Sequence, residues 1–452
     1  MNDDKTKLLK TVLDKAMDKA DQAEIFSLES GHISVDFRNG VLREMSESQD
    51  AGFCLRVIKD NRIAQATTSN MDKALEVVDQ AMELVPFGQQ VSFSFPKPSS
   101  YPVLETAPVE KPNMDLLLDQ SRTIIDKITA YDSSLMSNAG SGADTIAVTI
   151  LNSNGVDVRY ERQTYSTAAV AIMAEEGNIL TTYRYDMGQT PSSNPEALAD
   201  KVIDLLSMGR KNVPFNGNTL PIVFTPLALA DIFSAFGAGI SGSTVAKGMS
   251  PLTGKIGEQL LNEKITIEDN ALYPLASGSQ MVDDEGVPCR QSYLVEKGIL
   301  KNYLLDLYSA SKLNMTPTGN GFRYTSLIKS RSYAAAPGPA FTNLILPAGE
   351  RGLDEILKST PRLLLIDQLT GVLLGNLING DWSGNIEYGI LFEKGRPLGR
   401  IKNAMTGGNF YSMFKKSYGE SSAEREWVSG FGGGAGSSYL PYILFDGLKV
   451  SA

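Results

Sequence analysis

Apolar residues recur every three to four positions over residues 5–23, with Leu8, Leu9, Val12, Leu13, Ala16 and Met17 on one side, so the chain opens on an amphipathic helix. Alternation takes over at Glu24–Glu29, His32–Phe37 and Val41–Ser46. Asn39-Gly40 between the last two predicts a tight hairpin, because both residues tolerate positive φ. Gly52–Ile58 and Arg62–Thr68 form a second hairpin around Lys59-Asp60-Asn61; Met71–Leu84 returns to helical spacing, and Pro86–Pro108 is a Pro- and Ser-rich linker.

The same layout follows again. A helical pattern at Met114–Tyr131 leads to strands at Thr145–Asn152, Val156–Glu161, Ser166–Glu175 and Asn178–Tyr185, and a helix at Pro195–Met208 closes the block. Asn154-Gly155 occupies the place of Asn39-Gly40, about 115 residues on, which reads as an internal duplication. Two unrelated α+β units would give the same pattern. From about Val213 the chain becomes Gly- and strand-rich. Two hairpins share a Lys-Gly tip, at Lys297-Gly298 and Lys394-Gly395, and short helices are expected at Ser309–Leu313, Leu353–Leu357 and Phe410–Lys415. Gly430–Ser438 reads as a flexible loop before a last strand, Tyr442–Phe445. The expected class is α+β: units at residues 1–100 and 101–212, the second a duplicate of the first, then a larger, mostly β, Gly-rich C-terminal domain at 213–452.

One stretch of that last domain governs the functional reading. Pro221-Ile222-Val223-Phe224 is a short strand, Thr225 a helix cap and Pro226 a first helical residue. Leu229, Ile232, Phe233, Phe236 and Ile240 then repeat at helical spacing, giving a buried helix that ends in a Gly/Ser turn. Its inward positions are Phe, Ala and Gly, with no group expected to ionise near neutral pH.

Composition narrows the chemistry. A net charge of −10 argues against a broad phosphate-binding face, hence against direct nucleic-acid binding. The apolar run at residues 220–243 is interrupted by Pro221, Pro226, Asp231 and several glycines, so it reads as core rather than a membrane span. Two cysteines, Cys54 and Cys289, make no disulfide framework, and the chain starts on an acidic amphipathic helix; both point to the cytoplasm. The one histidine, His32, lies in an alternating strand without a nucleophile signature, and Cys289 has only Arg290 as a basic neighbour, so it reads as inert. Asp283-Asp284-Glu285-Gly286 can hold a hard cation, share a proton, or form a turn on its own backbone. Ser241, Ser243, Thr244 and Lys247 only loosely resemble an acyl-transfer set. Gly432–Gly436 lacks the Lys-Ser/Thr of a phosphate loop, and Thr318-Gly319-Asn320-Gly321 with Arg323 reads as an anion site or a tight turn.

Taken together, Asp283-Asp284-Glu285-Gly286-x-Pro288, Leu294-Val-Glu-Lys-Gly298-Ile-Leu-Lys301 and Thr318-Gly319-Asn320-Gly321-x-Arg323 resemble the TldD/PmbA family, the bacterial "modulator of DNA gyrase" proteins regarded as peptidases. In that family one subunit type carries a His-Glu-x-x-x-His helix and a late cysteine that bind zinc. Two imidazoles hold the metal while the glutamate activates water. Matching the Gly-x-x-Gly after that motif to Gly239-Ile-Ser-Gly242 places its ligand positions on Phe233, Ser234 and Ala238, and the Gly-rich end around Phe431 has no cysteine. The chain therefore resembles the other subunit type, PmbA or TldE, which lacks the metal site.

The resemblance implies no cofactor or catalytic residue in this chain and zinc only in a TldD-type paralogue. The two would form a heterodimer, with a homodimer open when the paralogue is absent, that cuts unfolded peptides inside a cavity. Candidate peptide contacts are Gly239, Ser241, Gly242, Asp283, Asp284, Glu285, Thr318, Gly319, Asn320, Arg323 and Gly433, with Gly237–Gly242 and Phe431–Ser438 gripping a peptide strand by edge addition. Two rival readings stay open: a binding protein that acts on another protein such as DNA gyrase, and a metal-independent or carboxylate-metal hydrolase built on Asp283–Glu285.

Overall fold

The computed structural model describes residues 3–175, 178–325, 330–429 and 436–452. The first two units share one antiparallel sheet. The first contributes α1 (Asp3–Met17), β1 (Gln22–Arg38), β2 (Val41–Lys59), β3 (Arg62–Thr68), α2 (Glu76–Leu84) and the two-residue β4 (Gln89–Gln90). The second repeats the order with α3 (Met114–Tyr131), β5 (Met136–Asn152), β6 (Asp157–Glu175), β7 (Asn178–Gly188) and α4 (Pro195–Gly209). The sheet runs β4-β3-β2-β1-β5-β6-β7, and the units meet where β1 pairs β5, from Glu24 opposite Asn152 to Arg38 opposite Asn138. Alternation gives this seam two apolar faces. Ile25 packs with α1, and Phe26 and Leu28 pack with Val148, Ile150 and Val282 on the other side.

Several expected breaks are absent. Glu24–Glu29 and His32–Phe37 belong to one strand, because Gly31 marks a close approach rather than a turn: a Cβ there would sit 2.8 Å from Thr145 Oγ1. Val41–Ser46 and Gly52–Ile58 are likewise both in β2, and Val156–Glu161 and Ser166–Glu175 merge in β6 apart from Val156. Met71–Leu84 instead splits into a 3₁₀ turn, Met71–Lys73, and α2. Asn39 and Gly40 have φ of 51° and 73°, the two positive values that a tight hairpin demands. At Asn154-Gly155 only the glycine has positive φ, and Asn152 Oδ1 accepts from the amides of Asn154 and Val156. The two units therefore match in layout and differ in this turn.

The C-terminal part comprises β8 (Asn218–Phe224), α5 (Pro226–Ile240), α6 (Gly242–Ala246), β9 (Ile267–Asn270), β10 (Gln291–Glu296), β11 (Ile299–Leu300) and α7 (Leu307–Leu313). It continues with the small pair β12 (Gly321–Phe322) and β13 (Gly338–Pro339), then β14 (Asn343–Ile345), α8 (Leu353–Ser359), β15 (Arg362–Thr370), β16 (Asp381–Glu393), β17 (Arg396–Arg400), β18 (Met405–Asn409), β19 (Tyr418–Ser429) and β20 (Ser437–Ser451). β8 pairs β15 in parallel and β20 antiparallel, which closes β8-β15-β16-β18-β20 into a ring. Both Lys-Gly tips have positive φ at the lysine as well as the glycine. The last strand is far longer than Tyr442–Phe445 because it pairs β8, β14, β18 and β19 in turn.

α5 lies against this ring and is buried almost throughout. Phe233 packs against Phe410 at 5.2 Å, Phe414 at 5.5 Å and Phe236 at 6.2 Å between ring centroids, and Phe224 against Trp382 and Phe445. No helix among the described residues is long and apolar enough to cross a membrane.

Candidate functional site

α5 begins as its sequence requires, with Thr225 Oγ1 accepting the Ala228 amide and Pro226 in the first turn. Only Leu227, Asp231 and Ala238 along it are half-exposed. At 3.6 residues per turn those three and Ser234 fall within an arc of about 60°, so the helix has one open face and is otherwise closed in by apolar side chains. Phe233 lies about 140° round the helix from Ala238 and points into the aromatic cluster. A phenyl ring and a methyl group offer no lone pair, so these residues do not fit zinc.

The inward positions of α5 carry no ionisable side chain, but its open face carries one. Asp231 stands on the open face; burial above all, with the Asp231 charge adding to it, raises the phenols of Tyr183 and Tyr185 on β7, two residues apart and therefore on one side of that strand. Among the described residues Asp231 has no hydrogen-bond or ion-pair partner. Arg184, between the two tyrosines, is engaged by Asp367 through a two-pronged pair at 2.7 and 3.0 Å. Burial alone pushes the Asp231 carboxyl up to about 7.

The sign of the consequence follows from linkage. A folded acid with a raised pKa binds more protons than the unfolded chain between roughly pH 4 and 7, so its burden on stability grows through that window and is full above it. Asp231→Asn is therefore expected to stabilise the fold at pH 8, by on the order of 2 kcal/mol once the solvent still reaching the group is allowed for, and to do nothing below pH 4. Thermal unfolding of both proteins at the two pH values checks this; equal midpoints at pH 8 would refute it.

The glycines after α5 are closed in rather than free. A Cβ on Gly239 would meet the Tyr411 hydroxyl, and one on Gly242 would meet Ser309 Oγ and the Leu304 carbonyl, which also accepts the Gly242 amide at 2.8 Å. Thr244 Oγ1 donates to the Ala238 and Ser241 carbonyls, and the Ser241 amide bonds Gly237. Edge addition of a peptide at Gly237–Gly242 has no open backbone to use. Gly433 lies outside the described residues, while Ser437 and Ser438 are paired with β14 and β19.

The acidic cluster and the Thr318–Arg323 turn come together, but as a buried joint between the first sheet and the C-terminal domain. Asp283, Asp284 and Glu285 are fully buried. Asp283 bonds its own turn through the amides of Glu285 and Val287 and also accepts the Gly321 amide. Asp284 accepts the Arg323 amide and pairs with Arg331. Glu285 accepts Arg56 Nη1 at 2.9 Å and the Leu307 amide at 2.7 Å. Arg56 also grips Glu24 at 2.7 and 2.8 Å, and Arg323 reaches the same glutamate at 3.2 Å. Burial works against the Arg56 charge, yet Glu24 and Glu285 hold its pKa above the usual range.

Asn320 Nδ2 donates to Asp269, Thr318 Oγ1 accepts the Leu305 amide, and Gly319 packs on Pro288. The carboxylates of this joint are all engaged by protein donors, while Arg323 Nε and Arg331 Nη1 are buried without a hydrogen-bond partner among the described residues. Cys289 is buried beside it, donates to the Gly319 carbonyl and has its thiol pKa raised by burial. His32 is half-exposed on β1, 2.8 Å from Asp144. Among the described residues no three His, Cys, Asp or Glu side chains are grouped to hold a metal.

Sequence reasoning missed Glu24, Arg56 and Asp231. Nothing local marks the first two, since Arg56 and Glu285 are 229 positions apart. Asp231 had a signal, a lone charge in an apolar helix.

Comparison with known proteins agrees with this architecture. Residues 23–85, 104–209 and 217–452 match the family descriptions "PmbA/TldA metallopeptidase domain 1", "central domain" and "C-terminal domain" respectively. An uncharacterized protein of Methanocaldococcus jannaschii is 29% identical over 435 residues, 94% of this chain and 95% of that one. The metalloprotease PmbA of Escherichia coli O157:H7 is 24% identical over 331 residues, covering 69% of this chain and 71% of its own. The crystal structure of TldE from Thermococcus kodakarensis shares the fold at a TM-score of 0.90, with 23% identity across 98% of this chain and all of that one. With three successive domain matches and one shared architecture, this chain belongs to the PmbA/TldD metallopeptidase family.

Proposed function

We propose that this chain is the non-catalytic, metal-free subunit of a TldD/PmbA-type peptidase complex, that it partners a zinc-bearing paralogue, and that it helps hold unfolded peptides. The observation that carries this reading is the fate of Phe233. Where a zinc-bearing relative needs an imidazole, this chain has a phenyl ring locked among Phe236, Phe410 and Phe414. The carboxylate-hydrolase alternative loses support because Asp283, Asp284 and Glu285 are each engaged by protein donors. The open face of α5 supports a peptide-holding role, since it is the part of an otherwise closed helix that a ligand can reach.

The test is peptidase activity on an unfolded peptide, for the purified chain alone and after mixing with a zinc-bearing paralogue, together with zinc analysis of each. Activity is expected only in the mixture, with zinc in the paralogue and loss on chelation. Cleavage by the chain alone that survives chelator would overturn the assignment.

A further inference from the structure

Asp231 has a setting that a merely structural acid does not need. It is a half-buried carboxylate without a partner among the described residues, and the cation nearest to its two tyrosines in sequence, Arg184, is taken by Asp367. Tyr183 and Tyr185 wall one side, and Tyr185 is fixed there by two hydrogen bonds to the backbone of Ser429 at the end of β19. One turn before Asp231, Leu227 lines a cleft of about 290 Å³ that also touches Tyr185, Arg425 and Trp427, together with Arg184 and Lys201, which are paired with Asp367 and Glu426. An uncompensated carboxylate beside phenol rings suits a cation, which restores the lost solvation by charge pairing and packs its methylenes on the rings.

We infer that Asp231 is a binding residue for an alkylammonium or guanidinium group of a peptide lying along the open face of α5, with Tyr183 and Tyr185 as the wall. The cation is a lysine or arginine side chain or the free N-terminus of the peptide. This rests on the peptide-holding part of the function proposed above and adds the chemical preference that the site imposes.

The test uses the full chain and three C-terminally fluorescein-labelled pentapeptides of Gly and Ala, followed by fluorescence polarisation at pH 8. One is N-acetylated with a central lysine, one N-acetylated with a central norleucine, and one carries norleucine with a free N-terminus. An ammonium-bearing peptide is expected to bind about ten-fold tighter than the acetylated norleucine peptide. A gain with lysine alone assigns the site to side chains; a gain with the free terminus alone assigns it to chain ends. Asp231→Asn is expected to shrink the preference to within about two-fold, with a thermal unfolding midpoint at pH 8 no lower than that of the natural chain showing that the variant is folded. Equal binding of all three peptides by the natural chain, or an unchanged preference in Asp231→Asn, overturns the role of Asp231 alone. No binding of any of the three overturns it together with the peptide-holding reading.

Discussion

Arg56→Met is expected to destabilise the protein by roughly 3–5 kcal/mol, read as a lower urea midpoint at pH 7. The arginine is the centre of a buried joint, with its side chain 5% exposed and its partners Glu24 and Glu285 at 0% and 2%. Methionine fills a similar volume but leaves Glu285 with a single neutral donor, the Leu307 amide, and Glu24 with Arg323 alone. A buried carboxylate stripped of its cation keeps the full desolvation cost and loses what offset it. The effect should reach across domains, because Arg56 belongs to the first sheet and Glu285 to the C-terminal part. Adding Glu285→Gln to Arg56→Met should therefore recover some of the loss, with a coupling of about 0.5–3 kcal/mol in the double-mutant cycle. A single variant within about 1 kcal/mol of the natural chain would show that the joint is held by packing rather than by charge.

Phe233→Ala should cost a comparable amount, about 3–5 kcal/mol, because the ring fills the space between α5 and the Phe410–Phe414 turn. The same geometry decides a more informative experiment. The triple variant Phe233→His, Ser234→Glu, Ala238→His restores the family's zinc motif in sequence. An imidazole at position 233 would sit inside the aromatic cluster of Phe236, Phe410 and Phe414. Zinc needs its ligands converging at about 2.0–2.1 Å in a tetrahedron, so the triple variant is expected to unfold earlier and to retain no zinc after gel filtration. One equivalent of tightly held zinc would sink this account of α5.

Some of this molecule could be read residue by residue. Asn39-Gly40 and the two Lys-Gly tips announce hairpins because positive φ is a local property of those residues. Met114–Tyr131 follows from its periodicity, and in the structure the Asn113 side chain caps the amides of Asp115 and Leu116. The repeat of helix, strands and helix was equally legible, and the family resemblance rested on loops whose glycines and acids stay close in sequence. Strand ends were legible only in part. Ser30-Gly31 resembles a break, yet pairing with β2 on one side and β5 on the other carries β1 straight through it.

What each polar group does was a different matter, because its partner lies elsewhere in the chain. Asp283-Asp284-Glu285 had the makings of a metal site until Gly321, Arg323, Arg331 and Arg56 arrived to occupy its oxygens. Asp231 counted in the sequence only as an interruption of an apolar run. The sequence by itself determined most helices, the tight turns, the repeat and the absence of imidazole at positions 233 and 238, since these follow from short-range backbone preference and side-chain identity. Tertiary structure alone decided which carboxylates are satisfied and which one faces an opening, since burial and pairing depend on elements more than a hundred residues apart.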